Sequence, residues 1–504
     1  MLRKALDRLS DRSPRFAAFR AWVDRRRRRL VAVFVVVMHA FGALSSVQAV
    51  MSTRTPQGAI AWAVSLNTLP YVAVPAYWVF GQSRFDGYEL LRQREMLADQ
   101  SLENDTIRVL REEGMIFEPE NDRQANQQKL LQSLSMMPVL RRNDVDLLID
   151  GEATFDAITD GINSAQDYIL FQFYILRSDD LGNRLKDALL ARAAEGVRVY
   201  VLYDALGSKD LSEEYIRDLR DGGAQVAAFT TTTQGWRNSF RVNFRNHRKI
   251  VVVDGQLAFV GGHNVGDEYV GKHPELTPWR DTHVAVRGPI VLATQVSFIE
   301  DWKWITGEQP ELNWKPAPAP DGDVVAVCLP TGPADDLETG TLVMLDAINM
   351  SQRRIWIASP YFVPDAQFIS ALQLAALRGV DVRVLIPENN DDQLVNMTSY
   401  SYLEELDKVG IQMYRYQPGF MHQKVLLIDD DIASVGTANF DNRSMRLNFE
   451  ITLMFRDAKF AGEVEGMLED DFSRSRLVSP SEYTDRNLPF RFMVRTARLL
   501  APVQ

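Results

Sequence analysis

The chain of 504 residues is 46% hydrophobic, which is ordinary for a globular protein with a modest membrane part. Its length predicts about two to four domains. Residues 1–30 hold 11 Lys and Arg against three Asp and Glu, a net charge of +8. The whole chain has a net charge of −11, so the remaining residues carry −19. Such an acidic body is a poor surface for nucleic acid, and we expect no nucleic-acid partner. The single Cys328 excludes an intrachain disulfide framework and a thiolate zinc site.

Two apolar stretches follow the basic N-terminal segment, at residues 30–51 and 59–81. Each is close to the ~20 residues that cross a bilayer as a helix, so the pattern predicts a transmembrane helical hairpin within residues 1–85. Arg25–Arg29 precede the first stretch and further arginines follow the second. By the positive-inside rule, both ends of the hairpin lie in the cytoplasm. The alternative is a signal peptide that ends at the small residues 47–49.

An internal repeat begins after residues 86–135, a polar stretch that we interpret as a linker near the membrane surface. The segment DYILFQFY at 167–174 matches RIWIASPY at 354–361, and EGVRVYVLYD at 195–204 matches RGVDVRVLIP at 378–387. Each half reads strand, helix, strand and then a motif strand, which predicts an α/β fold with buried strands. The chain is accordingly divided into a first half at 136–313, a proline-rich hinge at 314–323, a second half at 324–480 and a basic tail at 481–504.

The two halves carry the same sparse motif, His-x-Lys-x4-Asp, 175 positions apart, and an asparagine lies 17 residues after each histidine. Two homologous halves are expected to pack about a pseudo-twofold axis where the motif strands meet. The repeat offset shrinks from 187 to 175 before the motif, which indicates an inserted loop at 230–240. The residues of the two predicted half-sites are His247, Lys249, Asp254 and Asn264, and His422, Lys424, Asp429 and Asn439.

The motif has the chemistry of a phosphodiester site. In an extended segment side chains alternate between faces, so each histidine shares a face with the lysine two residues on. An imidazole can attack phosphorus or donate a proton, while Lys and Asn donate hydrogen bonds to non-bridging phosphate oxygens. One such set alone is more often a buried histidine at a strand end, but its duplication favours function. We expect no metal or other cofactor, because the lysines supply the positive charge.

The doubled motif resembles the hallmark of the phospholipase D superfamily. The flanking segments are similar to those of bacterial cardiolipin synthases: the N-terminal hydrophobic pair, WRDTH at 279–283, SPYFVPD at 359–365 and NFEITL at 448–453. The resemblance covers nearly the whole chain. It implies two phospholipase D-type α/β sandwich halves with pseudo-twofold symmetry behind the transmembrane hairpin.

The resemblance also implies an activity, that of a phosphatidyltransferase in the bacterial inner membrane. One histidine, which we take as His247, attacks the phosphorus of phosphatidylglycerol, and His422 protonates the departing glycerol. A second phosphatidylglycerol then attacks the phosphohistidine and yields cardiolipin. A phospholipase D hydrolase would use the same residues with water as acceptor, and a catalytically inactive membrane scaffold would be expected to have lost motif residues. The sequence leaves open whether the protein forms a homo-oligomer.

A catalytic histidine needs its other nitrogen fixed by a partner, so each half is expected to supply a carboxylate. The candidates are Asp281 and Glu450, which lie 34 and 28 residues after the histidine of their own half. Each resembles the family residue that hydrogen-bonds the imidazole. Glu450 lies between Phe449 and Ile451 in an apolar pattern, where an unpaired charge would be costly.

Other polar residues near the motifs have less certain roles. Asp254 and Asp429 belong to the motif's catalytic set, but the turns that follow them favour structural roles. The first site also has His263, His273 and His283, which have no counterparts in the second half and are at best secondary or substrate-contacting residues.

The tail repeats basic residues at helical spacing. Arg491, Arg495 and Arg498 fall on one face of a helix from residue 490 onward. Such a face predicts a short helix lying on anionic lipid. The alternative is that the aromatic face of the tail packs onto the second half as an ordinary terminal helix.

Overall fold

The structure is a computed structural model that describes residues 14–53, 55–81, 85, 88, 100–230 and 243–504. The described residues form two compact units: an N-terminal unit of the residues up to 81 together with Asn243, and a body that contains the rest. The predicted insertion at 230–240 lies outside the described residues except for Thr230. The arginines that follow the second apolar stretch, Arg84, Arg92 and Arg94, also lie outside them.

The N-terminal unit consists of three helices, α1 (Pro14–Ser52), α2 (Pro56–Thr68) and α3 (Pro70–Phe80). Within α1, the 27 residues Arg26–Ser52 include an 18-residue stretch with a mean hydropathy of 2.2. Among the described residues this is the one helix long and apolar enough to cross a membrane. The second apolar stretch divides at Leu69, whose φ of −132° leaves the helical region just before Pro70. The structure therefore does not show a hairpin of two continuous spanning helices.

The three helices of the N-terminal unit pack closely. Ala49, Leu66 and Tyr77 are fully buried in one apolar cluster. A Cβ added at Gly42 would lie 2.2 Å from the backbone oxygen of Leu66, so glycine is needed where α1 and α2 approach. Residues 47–49, the cleavage site of the signal-peptide alternative, lie inside α1.

The body begins with two helices in the stretch that we interpret as a linker, α4 (Gln100–Glu112) and α5 (Asp122–Ser135). The side chain of Asn121 caps α5 by accepting a hydrogen bond from the backbone of Gln124. Leu131 on α5 is buried in the core of the second half. The C-terminal part of this stretch thus belongs to the packed body.

Each half of the body contributes an equivalent set of strands to one large sheet. The sheet order is β20-β14-β13-β11-β16-β17-β19-β10-β1-β9-β7-β6-β2-β3-β4, with β5 attached to β19. The first-half strands are β1 (Leu140–Ile149), β2 (Tyr168–Phe173), β3 (Arg198–Asp204), β4 (Gln225–Phe229), β5 (Arg245–Asn246), β6 (Ile250–Val253), β7 (Leu257–Gly261), β8 (Trp279–Arg280) and β9 (Thr282–Arg287). The second-half strands are β10 (Val324–Thr331), β11 (Arg354–Ala358), β12 (Phe362–Val363), β13 (Asp381–Pro387), β14 (Gln412–Tyr416), β15 (Phe420–Met421), β16 (Val425–Ile428), β17 (Ile432–Gly436), β18 (Phe440–Asp441), β19 (Asn448–Arg456) and β20 (Ser475–Leu477).

Helices cover the faces of this sheet, as expected for strands that are buried along their length. The motif strands β6 and β16 are buried at every position. The helices are α6 (Asp150–Ser164), α7 (Asp180–Ala194), α8 (Glu213–Asp221), α9 (Ile290–Thr306), α10 (Thr339–Met350), α11 (Ala366–Leu377), α12 (Gln393–Ser399), α13 (Leu403–Asp407), α14 (Asn442–Arg446), α15 (Ala458–Ser473), α16 (Ser481–Thr484) and α17 (Leu488–Arg498). The mixed α/β fold predicted from the repeat is confirmed.

The two halves join through the antiparallel pair β1 and β10. The motif strands do not pair with each other, since β6 pairs with β2 and β7, and β16 pairs with β11 and β17. Two short parallel pairs cross between the halves instead. They join β5 to β19 and β15 to β8, immediately before each motif histidine.

The tail forms α17, and two of the three arginines on its predicted basic face bind protein. Arg495 donates hydrogen bonds to the hydroxyl of Tyr483 and to Glu404, and Arg498 pairs with Glu405. Arg491 is exposed beside the ring of Tyr483, so the predicted basic face is only partly free. The aromatic alternative is also incomplete, since Phe492 is 71% exposed.

Candidate active site

The first motif histidine is oriented by a carboxylate of the other half. Because β5 runs beside the start of β19, the backbone N–H of His247 donates to the carbonyl of Phe449 at 2.9 Å. The next residue of β19 is Glu450, whose two carboxylate oxygens lie 2.8 and 3.0 Å from Nδ1 of His247. A proton on Nδ1 leaves the lone pair of Nε2 free to attack.

The second histidine repeats this arrangement with the halves exchanged. The backbone N–H of His422 donates to the carbonyl of Arg280 at 2.7 Å, and its Nδ1 lies 2.8 Å from Oδ2 of Asp281. Each carboxylate therefore binds the histidine of the opposite half: Asp281 binds His422, and Glu450 binds His247. The crossed strand pairs are the physical reason, since each places a carboxylate beside the opposite histidine.

The carboxylate of Glu450 accepts further hydrogen bonds that sequence reasoning missed. Thr437 Oγ1 donates to Oε2 at 2.6 Å, Ser444 Oγ donates to Oε1 at 2.8 Å, and Asn448 Nδ2 donates to Oε1 at 3.2 Å. Burial raises the pKa of Glu450, but His247 and Lys249 outweigh that effect and hold it below its usual value. Glu450 is therefore an ionised, fixed partner of the imidazole.

The carboxylate of Asp281 is held by tight packing. It accepts a hydrogen bond from the backbone N–H of Thr282 at 2.8 Å. A Cβ added at Gly262 would lie 2.0 Å from its Oδ1, so the second glycine of GGH gives the backbone room to approach. The GGH segment of the sequence was the available signal for this contact.

The two lysines lie buried within the same group of charges. The Nζ of Lys249 donates to the carbonyl of His247 at 2.7 Å, and the Nζ of Lys424 donates to the carbonyl of His422. Burial lowers the pKa of Lys249 well below its usual value and that of Lys424 to about 8. Each lysine also disfavours charge on the other. An arriving phosphodiester would offset this repulsion and stabilise both ammonium groups.

Both histidines are neutral in the free site. Burial lowers the pKa of His247 to about 4, with Glu450 opposing the shift and Lys249 adding to it. Burial also lowers the pKa of His422 well below its usual value, and Lys424 and Lys249 add to that shift. The electrostatic coupling of His422 to Lys249 and His247 places the two half-sites against one another. The arrangement suits an uncharged nucleophile and a bound anion.

The two motif asparagines differ in their surroundings. The amide of Asn264 accepts a hydrogen bond from the backbone of Ile175 at 3.1 Å and donates to the hydroxyl of Tyr269 at 3.1 Å. The Oδ1 of Asn439 is buried and has no hydrogen-bond partner among the described residues. Their equal spacing in the sequence therefore does not give them equal contacts.

The motif aspartates lie at the far ends of the motif strands. Asp254 accepts backbone hydrogen bonds at 2.8 Å from each of residues 166–168, and Asp429 accepts hydrogen bonds from the backbone of residues 352–354. Both have positive φ, 54° and 51°, as turn residues do. These contacts anchor the loops that lead into β2 and β11, so they are structural.

A buried carboxylate supports each motif strand from behind, a feature that sequence reasoning missed. In the first half, Arg248 forms an ion pair of 2.9 Å with Asp301 on α9, which also accepts from Gln172 and Asn246. In the second half, Asp471 on α15 accepts hydrogen bonds from Gln423 and Arg280. Acidic residues inside apolar helices, as in FIEDW at 298–302, were the available signal.

The remaining histidines of the first half occupy different places. His263 and His283 are buried with their Nδ1 atoms 3.1 Å apart, and burial lowers the pKa of each to about 3. They lie beside Asp281, which opposes the shift on His263. The Nδ1 of His273 accepts hydrogen bonds from the backbone of Glu275 and Leu276 in an exposed loop.

The fold and the site define a class of protein, a duplicated phosphodiester-transfer enzyme with paired histidines. The family model described as cardiolipin synthase, PLD-like domain matches residues 158–293 and 344–472. Cardiolipin synthase A of Pseudomonas putida strain GB-1 is 48% identical over 468 residues, which cover 93% of this chain and 97% of that protein. The same-named protein of Pseudomonas fluorescens strain SBW25 is 47% identical over 94% of this chain and 98% of its own length. The chain belongs to the cardiolipin synthase family with the PLD-like domain.

A solved structure is similar in fold. The crystal structure of phosphatidylserine synthase from Haemophilus influenzae Rd KW20 superposes with a TM-score of 0.57. The match covers 75% of this chain and 99% of that protein at 15% sequence identity. At this identity the likeness concerns the fold alone.

Proposed function

We propose that the chain condenses two phosphatidylglycerol molecules into cardiolipin and glycerol through a phosphohistidine intermediate. The observation that carries the proposal is the pair of crossed dyads, His247 with Glu450 and His422 with Asp281. In this proposal each dyad presents an Nε2 atom to a shared site that also holds Lys249 and Lys424. Two imidazoles in one site supply both a nucleophile and a proton donor, which transfer of a phosphatidyl group requires.

In the first step, Nε2 of His247 forms a bond to the phosphorus of phosphatidylglycerol. The bond from phosphorus to the glycerol oxygen breaks, and that oxygen takes a proton from Nε2 of His422. His422 is neutral in the free site, so we infer that it takes up this proton when the phosphodiester binds. The anion offsets the positive charge of Lys249 and Lys424, which otherwise disfavours protonation of His422.

In the second step, the terminal hydroxyl of another phosphatidylglycerol attacks phosphorus. His422 takes the hydroxyl proton, the bond from phosphorus to Nε2 of His247 breaks, and cardiolipin leaves. Lys249, Lys424 and Asn439 hold the non-bridging oxygens through both steps. We do not assign Asn264 to this role, because its amide is already bonded to Ile175 and Tyr269.

His247 is the nucleophile in this proposal because its partner is the more firmly held. A phosphorylated imidazole carries positive charge, and the ionised Glu450 compensates that charge. Three side-chain donors fix Glu450 in addition to His247. Asp281 accepts one backbone hydrogen bond and a long contact of 3.5 Å from the indole of Trp279.

A substrate with an activated leaving group tests this assignment. A p-nitrophenyl ester of phosphatidic acid needs no acid to release its leaving group, so His422→Ala should still form the adduct on His247. His247→Ala should form none. The adduct is mapped by mass spectrometry after acid-free quenching, and an adduct on His422 in the His247→Ala protein would reverse the roles.

A hydrolase would use the same residues with water as the acceptor. The two activities are separated by incubating the purified protein with labelled phosphatidylglycerol, with and without an excess of unlabelled lipid. Synthesis gives labelled cardiolipin and glycerol, and the yield of cardiolipin rises with the excess lipid. Phosphatidic acid as the sole labelled product would favour the hydrolase.

We also propose that the protein is a multi-pass protein of the bacterial inner membrane with its catalytic body in the cytoplasm. Arg26–Ser52 supplies one apolar helix of sufficient length, and α2 with α3 would form the second crossing. The exposed arginines 26–29 at the start of this helix favour a cytoplasmic N-terminus. Reporter fusions at residue 54 and after residue 504 test this topology.

A further inference from the structure

The most exposed large side chains of α17 and the residues just after it are apolar. Arg491 and Arg495 are also exposed on this helix, at one edge of the apolar residues. Leu488 is 78% exposed, Phe492 71% and Leu499 78%. These three recur at i, i+4 and i+11 and form one stripe. We use the name tail face for the exposed residues Leu488, Phe492, Met493 and Thr496 of α17 with Leu499 and Leu500 just after it.

The body binds two of the charged residues of α17. Arg495, which stays partly exposed, and Arg498 pair with Glu404 and Glu405, and the apolar Val494 and Ala497 are buried. An ordinary surface helix also buries apolar residues and exposes charged ones, but it does not in addition expose several large apolar side chains on neighbouring turns. An apolar face of this kind on a folded protein marks a surface for interaction.

The tail is joined to the catalytic centre by short-range contacts. Beyond α17, the backbone oxygen of Gln504 accepts a hydrogen bond of 2.7 Å from the N–H of Arg443. The neighbouring residue, Ser444, donates to Glu450 of the first dyad. Ala501 packs with Val363 and Val395, the second of which lies on α12. The residues that directly follow the tail face therefore contact residues next to the first dyad.

From these contacts we propose that the tail face is a membrane-docking surface that enters the interfacial layer of a phospholipid bilayer. Interfacial helices bury an apolar face about 5–10 Å into the boundary between headgroups and acyl chains. Two arginines lie at the edge of the tail face, where the headgroups of a bilayer would be: Arg486 stacks on Phe490, and Arg491 stacks on Tyr483. From there their guanidinium groups reach toward lipid phosphates.

A bilayer fits this face better than a second copy of the chain. The 11 residues of α17 span only about 16 Å, so the helix offers far less than the roughly 800 Å² per partner of a stable protein interface. A bilayer has no such minimum, and the reacting groups must in any case receive substrates whose acyl chains are dissolved in it. The proposal does not depend on which histidine is the nucleophile or on the acceptor.

A fluorescent label tests the contact without any turnover. In a Cys328→Ala background, Phe492→Cys is labelled with an environment-sensitive dye, and the full-length protein is placed in phosphatidylglycerol nanodiscs. Lys459→Cys, whose side chain is 88% exposed on α15, is the control. We expect blue-shifted emission at position 492, with several-fold stronger quenching by lipids spin-labelled along their acyl chains than at position 459. Equal quenching at the two positions would overturn the proposal.

Two further measurements are needed. The first tests whether a bilayer or a second copy of the chain covers the tail face, and the second tests whether this contact matters for activity. In the first, the dye at position 492 is measured in nanodiscs that each hold one protein. If its emission then matches that of a water-exposed label, a second copy of the chain covers the tail face, and the proposal is overturned. The activity test compares Phe492→Ser with Leu377→Ser, whose parent side chains are both 71% exposed. Phe492→Ser should lose about tenfold in activity on vesicles but retain activity on dispersed short-chain phosphatidylglycerol. Equal losses in both variants would count against the tail face.

Discussion

Replacing Glu450 by Gln should disable the first dyad while keeping its shape. In the parent protein the carboxylate accepts the Nδ1 proton of His247 at 2.8 Å, which leaves Nε2 as the attacking atom. A glutamine amide can donate to Nδ1 instead and so stabilise the tautomer that carries its proton on Nε2. That tautomer has no lone pair where phosphorus must be attacked.

The magnitude of this effect follows from two losses. A charge-assisted hydrogen bond contributes about 1.5–3 kcal/mol, and the wrong tautomer adds the cost of reaching the reactive one. Replacing the carboxylate that orients a catalytic histidine typically lowers kcat by about 10⁴. We therefore expect Glu450→Gln to lower kcat by about 10³–10⁴, or about 4–5.5 kcal/mol. Thr437→Val removes one hydrogen bond to Glu450 and should cost only about tenfold.

The assay should separate adduct formation from turnover. With the activated p-nitrophenyl substrate, Glu450→Gln should abolish the burst of p-nitrophenol, because its target is His247. Asp281→Asn should keep the burst and block the later transfer, because its target is His422. The opposite pattern would refute either the crossed pairing or the choice of His247 as nucleophile, and mapping the adduct in the His247→Ala protein separates the two. A Glu450→Gln enzyme within tenfold of the parent would refute the tautomer argument. Thermal denaturation of both variants controls for unfolding.

Four further results are expected. Either His247→Ala or His422→Ala should remove more than about 95% of transfer activity from natural phosphatidylglycerol, and the double variant should be no worse, as quantified by cardiolipin formed. EDTA should leave that activity largely intact, whereas complete loss restored by one divalent cation would contradict the role given to the lysines. Asp301→Asn leaves Arg248 buried without its counter-charge and should destabilise the protein by about 3–5 kcal/mol, seen as a lower thermal midpoint; an unchanged midpoint would show that the ion pair does not support the site. Because the pKa of Lys424 is lowered to about 8, kcat/KM should fall as pH rises above that value, and Lys424→Arg should move this limb to higher pH in a pH profile.

The fold could be predicted, and candidate reacting residues could be named, because both depend on patterns within short segments of the sequence. Alternation along an extended chain puts His247 and Lys249 on one face, and the apolar runs IVVV and VLLI are the buried strands β6 and β16. The repeat likewise predicted two equivalent α/β halves. These inferences require only the spacing of residues within one element.

Features that depend on how separate helices and strands pack could not be predicted from the spacing of residues within one element. The partner of His247 is Glu450 because β5 lies beside β19, a pairing between segments about 200 positions apart. The spacing of Arg495 and Arg498 showed that they share a face of a helix, but the direction of that face depends on Glu404 and Glu405. The division of the second apolar stretch was signalled by Pro70 and could have been foreseen.

The crossed dyads bear on why the motif is present twice in one chain. Each histidine belongs to one half, but the carboxylate that selects its tautomer belongs to the other. A half by itself would therefore have a nucleophile without its orienting partner, as well as no proton donor. Correct packing through β1 and β10 is then a condition for chemistry as well as for stability. Because β5 pairs with β19 and β15 with β8, the same contacts that hold the halves together also set both histidines for reaction.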